Sequence, residues 1–401
     1  MGKALKSKSR PANPNAEAQR RLAYFEERQD EMVSTIRELV GIESPSDNKA
    51  AVDRLAEVVA GKFAALGGSV RLHRANEFGN HLQVDFAGGS GGKRVLLLGH
   101  YDTVYPLGTV AKMPCRMDGE KLAGPGVLDM KSGIALMLYA VAALQAWNRA
   151  GGGPGELPRP ASVLLVSDEE VGSDSSRQIT ESLAKKAAAV LVLEPAYGFQ
   201  GAVKTARKGV GNYEIKVTGT SSHAGLDFQK GANAILELAR QIEKVSSFTD
   251  LKKGLTVNVG IVRGGSRTNV VPAEASAQVD VRIARMKDAE GIDRKMRGLR
   301  TFNRKCKLEI SGGINRPPME RTEGVATLYA KAVEIAGDLG WKLGEAAVGG
   351  GSDGNFTAGL GIATLDGLGG VGDGAHAVHE HILISELPRR AALVAGLIEV
   401  A

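Results

Sequence analysis

The run Val95-Leu-Leu-Leu-Gly-His-Tyr-Asp102 decides the fold. Four consecutive apolar residues are followed at once by a histidine and an acid. The same design recurs twice: Ser162–Val166 leads into Asp168-Glu-Glu170, and Val190–Leu193 leads into Glu194. Short, continuous, Leu- and Val-rich runs of this kind read as central strands covered on both faces. Between the first two, Ser132–Trp147 reads as a helix. Strands alternating with helices predict an α/β fold with a mostly parallel sheet. Ligands of such sheets gather in crevices at the carboxyl ends of the strands. His100, Asp168–Glu170 and Glu194 all fall at those ends, so they can converge.

Outward from this centre, Glu17–Val40 carries apolar residues at helical spacing and predicts one helix. Ala50–Leu66 predicts a second, stopped by Gly67-Gly68. Residues 1–15 are polar and aperiodic and are expected to be a disordered tail. The pattern changes after Lys204. Asn212–Thr218, Leu255–Val262, Ala275–Ile283 and Lys307–Ile310 read as strands, and Gly231–Val245 and Asp288–Phe302 as helices. That β-α-β-β-α-β order is ferredoxin-like. It predicts an inserted α+β unit over 207–315, splitting a catalytic domain into 16–206 and 316–401. Helices over Gly324–Gly337 and Ile384–Val400 close the chain.

Composition bounds the function. The chain has 401 residues, a formal charge of +6 and two cysteines far apart, Cys115 and Cys306. Much of the positive excess is read into the Lys3–Arg21 region, and the balance is compatible with an anionic substrate. The basic residues are not interleaved with aromatics, so no nucleic-acid partner is expected. Cysteine usage fits a reducing compartment. No apolar run reads as a signal peptide or a membrane span, so a cytoplasmic location is expected.

Two histidines and three carboxylates are enough to hold two divalent ions that share one carboxylate, with one glutamate, Glu169, left over as a base. His100 and Asp102 stand two apart, on one face if the strand continues, so one can ligate while the other orients its imidazole. Asp129, in Gly124-Pro-Gly-Val-Leu-Asp-Met-Lys131, can bridge two ions or cap the helix that follows. Asp168-Glu169-Glu170 is costly without cations, since adjacent acids repel and lose hydration. Near the C-terminus His376, His379 and His381 compete for the last ligand position.

Gly-His-Tyr-Asp-Thr-Val-Tyr, Gly-Pro-Gly-Val-Leu-Asp-Met-Lys-Ser-Gly, Ser-Asp-Glu-Glu-Val-Gly-Ser, Leu-Glu-Pro and Gly-Ala-His-Ala-Val-His-Glu are similar, in content and order, to motifs of one family. It is the co-catalytic zinc peptidase and acylase family of bacterial glutamate carboxypeptidases, aminoacylases, acetylornithine deacetylase and succinyl-diaminopimelate desuccinylase. The resemblance implies a zinc exopeptidase catalytic domain with an inserted ferredoxin-like dimerisation domain. It implies two zinc ions per chain, with cobalt or manganese as substitutes. One would lie on His100, Asp129 and Glu194, the other on Asp129, Glu170 and His376. Asp102 would orient His100, and Glu169 would be the general base.

In the inserted unit, Thr220-Ser-Ser-His-Ala-Gly225 resembles the family segment whose histidine reaches the partner subunit's site and polarises the scissile carbonyl, which points to His223 and a homodimer. Asn269 and Arg282 resemble family positions that grip a substrate carboxylate, a task suited to the planar fork of arginine. Gly350, in Gly349-Gly-Gly-Ser-Asp353, resembles the loop that approaches the substrate. The expected reaction is hydrolysis of an amide beside a free carboxylate, in a small peptide or N-acyl amino acid. A glutamate carboxypeptidase is the nearest likeness. An N-acyl-amino-acid deacylase and a non-catalytic binding homologue are the alternatives.

Overall fold

A computed structural model describes residues 14–89 and 92–401. The expected disordered tail, 1–15, lies outside the described residues except for Pro14 and Asn15, which open the first helix. The chain divides into two compact units. The first runs to Thr205 and resumes over Thr322–Ala346 and Ile362–Ala401; the second comprises Ala206–Arg321 and Ala347–Gly361.

In the first unit, strands β1 (Ser69–His73), β2 (His81–Phe86), β3 (Arg94–His100), β4 (Ala161–Val166) and β5 (Ala187–Val192) join the two-residue strand Thr364–Leu365. Their order across the sheet is β1-β2-β4-β3-β5, with Thr364–Leu365 at the far edge. β3 pairs in parallel with both β4 and β5, while β2 runs against β1 and β4. The mostly parallel sheet expected from the sequence is therefore present. β4 is buried along its whole length and β3 everywhere but its first residue. Burial on both faces explains why these strands read as unbroken apolar runs.

The helix Ser132–Ala150 packs on β3 and against the helices Gln29–Gly41 and Leu387–Val400. With the preceding turn, Val127–Ala150 is long and apolar enough to cross a membrane, contrary to the sequence expectation. However, 83% of that apolar window is buried inside the protein, so its surface is already covered by neighbouring elements. The single helix expected over Glu17–Val40 is two, Pro14–Glu26 and Gln29–Gly41. Arg28 leaves helical geometry at φ −109°, ψ 12°, and its guanidinium lies 3.8 Å from the Tyr24 ring centre. Phe25 on one half and Met32 and Ile36 on the other are all fully buried, so each half turns its own stripe inward. The next helix, Lys49–Ala65, is capped by the Asn48 side chain and ends, as expected, before Gly67 at φ 78°.

Two glycines allow close approach where the site forms, one to a side chain and one to the main chain. A Cβ on Gly99 would meet Met130 Cε at 2.3 Å, and one on Gly133 would meet the Leu193 carbonyl at 2.2 Å. Without a side chain at either, the turn carrying Asp129 can lie against the ends of β3 and β5.

The second unit is a four-stranded antiparallel sheet. Its strands are β6 (Gly209–Thr218), β7 (Thr256–Gly264), β8 (Glu274–Ile283) and β9 (Lys307–Arg316), in the order β7-β8-β6-β9. Helices Ala234–Ser246 and Ala289–Arg297 cover one face, burying Leu238, Val245, Ile292 and Met296. Here β6 alternates strictly between buried and exposed residues, as a sheet covered on one face should. The ferredoxin-like order matches the sequence expectation. The 347–361 segment does not: expected in the catalytic domain, it belongs with the second unit. The Asn355 amide donates to the carbonyls of Lys208 and Pro317, and Arg316 pairs with Asp353 at 2.6 Å, both partners buried.

Candidate metal centre

β3 delivers His100 at its last residue, the turn before Ser132 delivers Asp129, the turn after β4 delivers Glu169 and Glu170, and the end of β5 delivers Glu194. His100 is 1% exposed. Its Nε2 lies 3.1 Å from Asp129 Oδ1 and 3.4 Å from Glu194 Oε1. His376 Nε2 lies 3.4 Å from the other Asp129 oxygen and 3.1 Å from Glu170 Oε2. Asp129 thus stands between the two imidazoles, each flanked by its own glutamate.

The Asp129 carboxylate does not cap the helix: Lys131 occupies the cap position, and no side chain caps it. Among the three competing histidines, His376 joins the cluster. It adopts φ 65°, a conformation unusual for a side-chain-bearing residue. His379 is exposed in a turn. His381 is buried against Phe199, with ring centres 6.2 Å apart, and its Nδ1 donates to the His379 carbonyl.

Asp102 is fully buried. His100 Nδ1 lies 3.0 Å from its carbonyl oxygen and 3.4 Å from its carboxylate, so the main chain does more of the orienting than the side chain. The carboxylate instead accepts the Glu169 and Glu170 N–H groups at 3.3 and 3.2 Å and the Ser46 hydroxyl at 2.7 Å. It therefore fixes the turn that presents the proposed base. Glu169, His100 and Glu194 offer ligand atoms within 4.8 Å of one another, as do His100, Asp129 and Glu170. Asp168, the first of the three acids, turns away and accepts from Ser175 and Ser176.

Electrostatics sharpen the picture. Burial alone would strip His100 of its proton, but Asp102, Asp129 and Glu194 outweigh it and raise the imidazole well above its usual range. The hydrogen bonds from Asp129 and Glu170 push His376 up to about 10. Burial tends to raise Asp129, yet its two imidazole partners hold it below the usual carboxylate range. Glu170 is raised, chiefly by burial. Two imidazoles with raised affinity for protons, set among Asp129, Glu170 and Glu194, make a site suited to positive charge. The donor set, two imidazoles with carboxylates, suits zinc-like divalent ions.

The other sequence-derived residues lie in the second unit. His223, bridged to Val270 in a two-residue ladder, accepts the Gly225 and Leu226 N–H groups on Nδ1, each at 3.1 Å. The Asn269 carbonyl accepts the Ala224 N–H. Both arms of the Arg282 guanidinium engage Asp280 on the same strand, at 2.9 Å. The Gly350 carbonyl accepts from Arg207 at 3.2 Å.

Residues 96–400 match Peptidase family M20/M25/M40. The chain belongs to this family. It is an enzyme, a metallopeptidase. It is 32% identical over 380 residues to Carboxypeptidase G2 of Pseudomonas sp. (strain RS-16), covering 92% of this chain and 89% of that one. Among solved structures it resembles a tripeptidase of Staphylococcus aureus (TM-score 0.75, 22% identity, 93% and 98% covered). It also resembles the M20 family metallo-carboxypeptidase Sso-CP2 of Sulfolobus solfataricus (TM-score 0.73, 18% identity, 92% and 99% covered). The YXEP protein of Bacillus subtilis, a dinuclear metal binding peptidase from the M20 family, shares the fold at TM-score 0.67 and 14% identity, with 93% and 98% covered. The M20 family binds a dinuclear metal centre, and the His100–Asp129–Glu170 cluster is the candidate for it here.

Sequence reasoning missed three supports of the site: Ser46, Tyr105 and Glu380. Ser46 gives no local signal, since only folding brings it to Asp102. Glu380 closes the motif that begins at Gly374, in which the histidines carry the stronger ligand signal.

Proposed function

We propose that this metallopeptidase is a dizinc exopeptidase that hydrolyses an amide next to a free carboxylate and releases a C-terminal amino acid, in the manner of a glutamate carboxypeptidase. The observation that carries the reading is Asp129 held between His100 with Glu194 and His376 with Glu170, with Glu169 beside them. Likeness to Carboxypeptidase G2 over most of the chain supports the carboxypeptidase direction. Bound ions would polarise the scissile carbonyl and make water acidic enough to ionise near neutral pH. His100, Asp129 and Glu194 would hold one, and Asp129, Glu170 and His376 the other. Glu169 takes the proton of the attacking water and passes it to the leaving amine. Asp102 keeps Glu169 in place through the backbone N–H it accepts.

In the second unit, Asn269 and Arg282 are proposed to meet the substrate carboxylate, the loop of Gly350 to approach the substrate, and His223 to meet the carbonyl oxygen of a site on the partner of a homodimer. For Arg282 this requires an exchange, in whole or in part, of its Asp280 partner for the substrate. A deacylase would use the same groups and differ in the acyl side it accepts. The test is hydrolysis of a panel of N-acyl amino acids and dipeptides by zinc-loaded protein, beside Glu169→Gln. A preference for substrates releasing glutamate, lost at least about a hundredfold in Glu169→Gln with metal content unchanged, is expected. Faster turnover of N-acetyl amino acids without regard to the released residue would favour the deacylase, and normal turnover by Glu169→Gln would exclude that base.

A further inference from the structure

Glu380 carries a charge that the reaction, as described, does not use. It is fully buried, yet no lysine or arginine forms an ion pair with it among the described residues. Four donors satisfy it instead. Oε1 accepts the Leu128 N–H at 2.8 Å and the Asp129 N–H at 3.0 Å; Oε2 accepts the Gly126 N–H at 3.0 Å and the Tyr105 hydroxyl at 2.6 Å. These fill the roughly four acceptor positions a carboxylate offers. Three segments distant in sequence meet on it. One is the Gly124–Asp129 turn, whose last residue stands between the imidazoles. Another is the segment after Asp102, through Tyr105. The third is Glu380's own segment, which begins with His376 and whose Ala377 carbonyl also faces the Tyr105 hydroxyl at 3.0 Å. The main chain closes the same junction: the Gly124 N–H donates to the Glu380 carbonyl at 3.2 Å.

We infer that Glu380 is a positioning residue for the metal centre: by accepting the Asp129 main-chain N–H and two others of its turn, it sets where the shared carboxylate stands. The inference rests on the ligand assignment proposed above. A buried carboxylate is costly unless every lone pair finds a donor, so the arrangement is retained only while the turn keeps this shape. Gly124 and Gly126 leave the turn conformational freedom on either side of Pro125, so its shape depends on outside partners as well. Glutamate supplies what glutamine cannot. In Glu380→Gln one oxygen becomes an NH2: on the Oε1 side it would face two main-chain N–H donors, and on the Oε2 side it would face the Gly126 N–H while the Tyr105 hydroxyl turns its proton to the Ala377 carbonyl, so at least one main-chain bond of the turn is lost.

The experiment measures divalent metal binding directly, by competition with a chromophoric chelator and by the visible absorption of the cobalt-loaded protein. Wild type, Glu380→Gln, Tyr105→Phe and Asp129→Ala are compared, with circular dichroism as a fold check. Glu380→Gln should bind metal about ten- to a hundredfold more weakly, the range for partners that orient ligands, with an altered cobalt spectrum. kcat should fall while KM stays within about twofold, because a shifted shared ligand affects the transition state more than substrate binding. Tyr105→Phe removes one of the four bonds and should shift the spectrum in the same direction by less. It decides the matter if Glu380→Gln does not fold. A folded Glu380→Gln, or failing that Tyr105→Phe, with wild-type metal affinity and cobalt spectrum overturns the inference, whatever its melting temperature. Asp129→Ala separates the two claims. If it keeps both ions, the ligand assignment fails and the inference with it; if it loses them while Glu380→Gln binds normally, the inference alone fails.

Discussion

Filling the metal centre must expel protons, and their number follows from geometry. In the metal-free protein both ring nitrogens of His100 face oxygen: Nδ1 the Asp102 carbonyl at 3.0 Å, Nε2 the Asp129 carboxylate at 3.1 Å. A neutral imidazole donates from one nitrogen only, so this pairing favours a proton on both, in the same direction as the raised pKa of the ring. His376, pushed up to about 10, is neutral in only about one molecule in a thousand at pH 7. Ions that take Nε2 of each ring therefore displace about two protons per chain, before any from bound water. The perturbation is stepwise addition of zinc to metal-free protein between pH 7 and 9. Calorimetry in two buffers of different ionisation enthalpy, or a pH-stat, counts the protons. The sign is fixed by the raised pKa: the His376 proton is held below about 10, so the logarithm of the apparent affinity for the ion on His376 should climb by about one per pH unit over this range. The same shift gives the metal-free fold a contribution fully present below about pH 6.5 and lost as pH rises through about 10. Release of less than about one proton per chain on filling at pH 7, or a flat affinity profile, would refute the reasoning.

Three further outcomes are expected. Asp129→Ala should lower bound zinc from about two ions per chain towards none in elemental analysis, because both ions share that carboxylate; a retained full complement contradicts the assignment. Arg316→Ala should destabilise the second unit in denaturant unfolding, by up to about 3–5 kcal/mol, since it removes a buried ion-pair partner of the buried Asp353 carboxylate. A midpoint within experimental scatter of wild type would show that the pair contributes nothing. His223→Ala and Glu169→Gln chains, each inactive, should regain part of the activity when mixed and shown by differential tags to have exchanged subunits, because one site of the mixed dimer is intact. Inactive heterodimers would end the role proposed for His223 on the partner.

The sequence by itself determined the parallel core of the first unit and the ferredoxin-like order of the second. Both are written in local period: β3 and β4 as unbroken apolar runs, β6 as a strict alternation. Strand ends marked His100, Glu169, Glu170 and Glu194 because in such sheets polar residues follow apolar runs where the chain emerges at the crevice. Tertiary structure decided what local pattern cannot encode. The break at Arg28 and the burial of Val127–Ala150 depend on which neighbours cover each helix. The choice of His376 over His379 and His381 depends on which side chain reaches Asp129 across some 250 residues of sequence. Asp102 proved to hold the Glu169 turn as well as His100, and Ser46 and Glu380 to support the site from 56 and 251 positions away. Hydrogen bonds to a buried carboxylate are satisfied by whatever donors the fold brings near, and sequence distance leaves no trace of them.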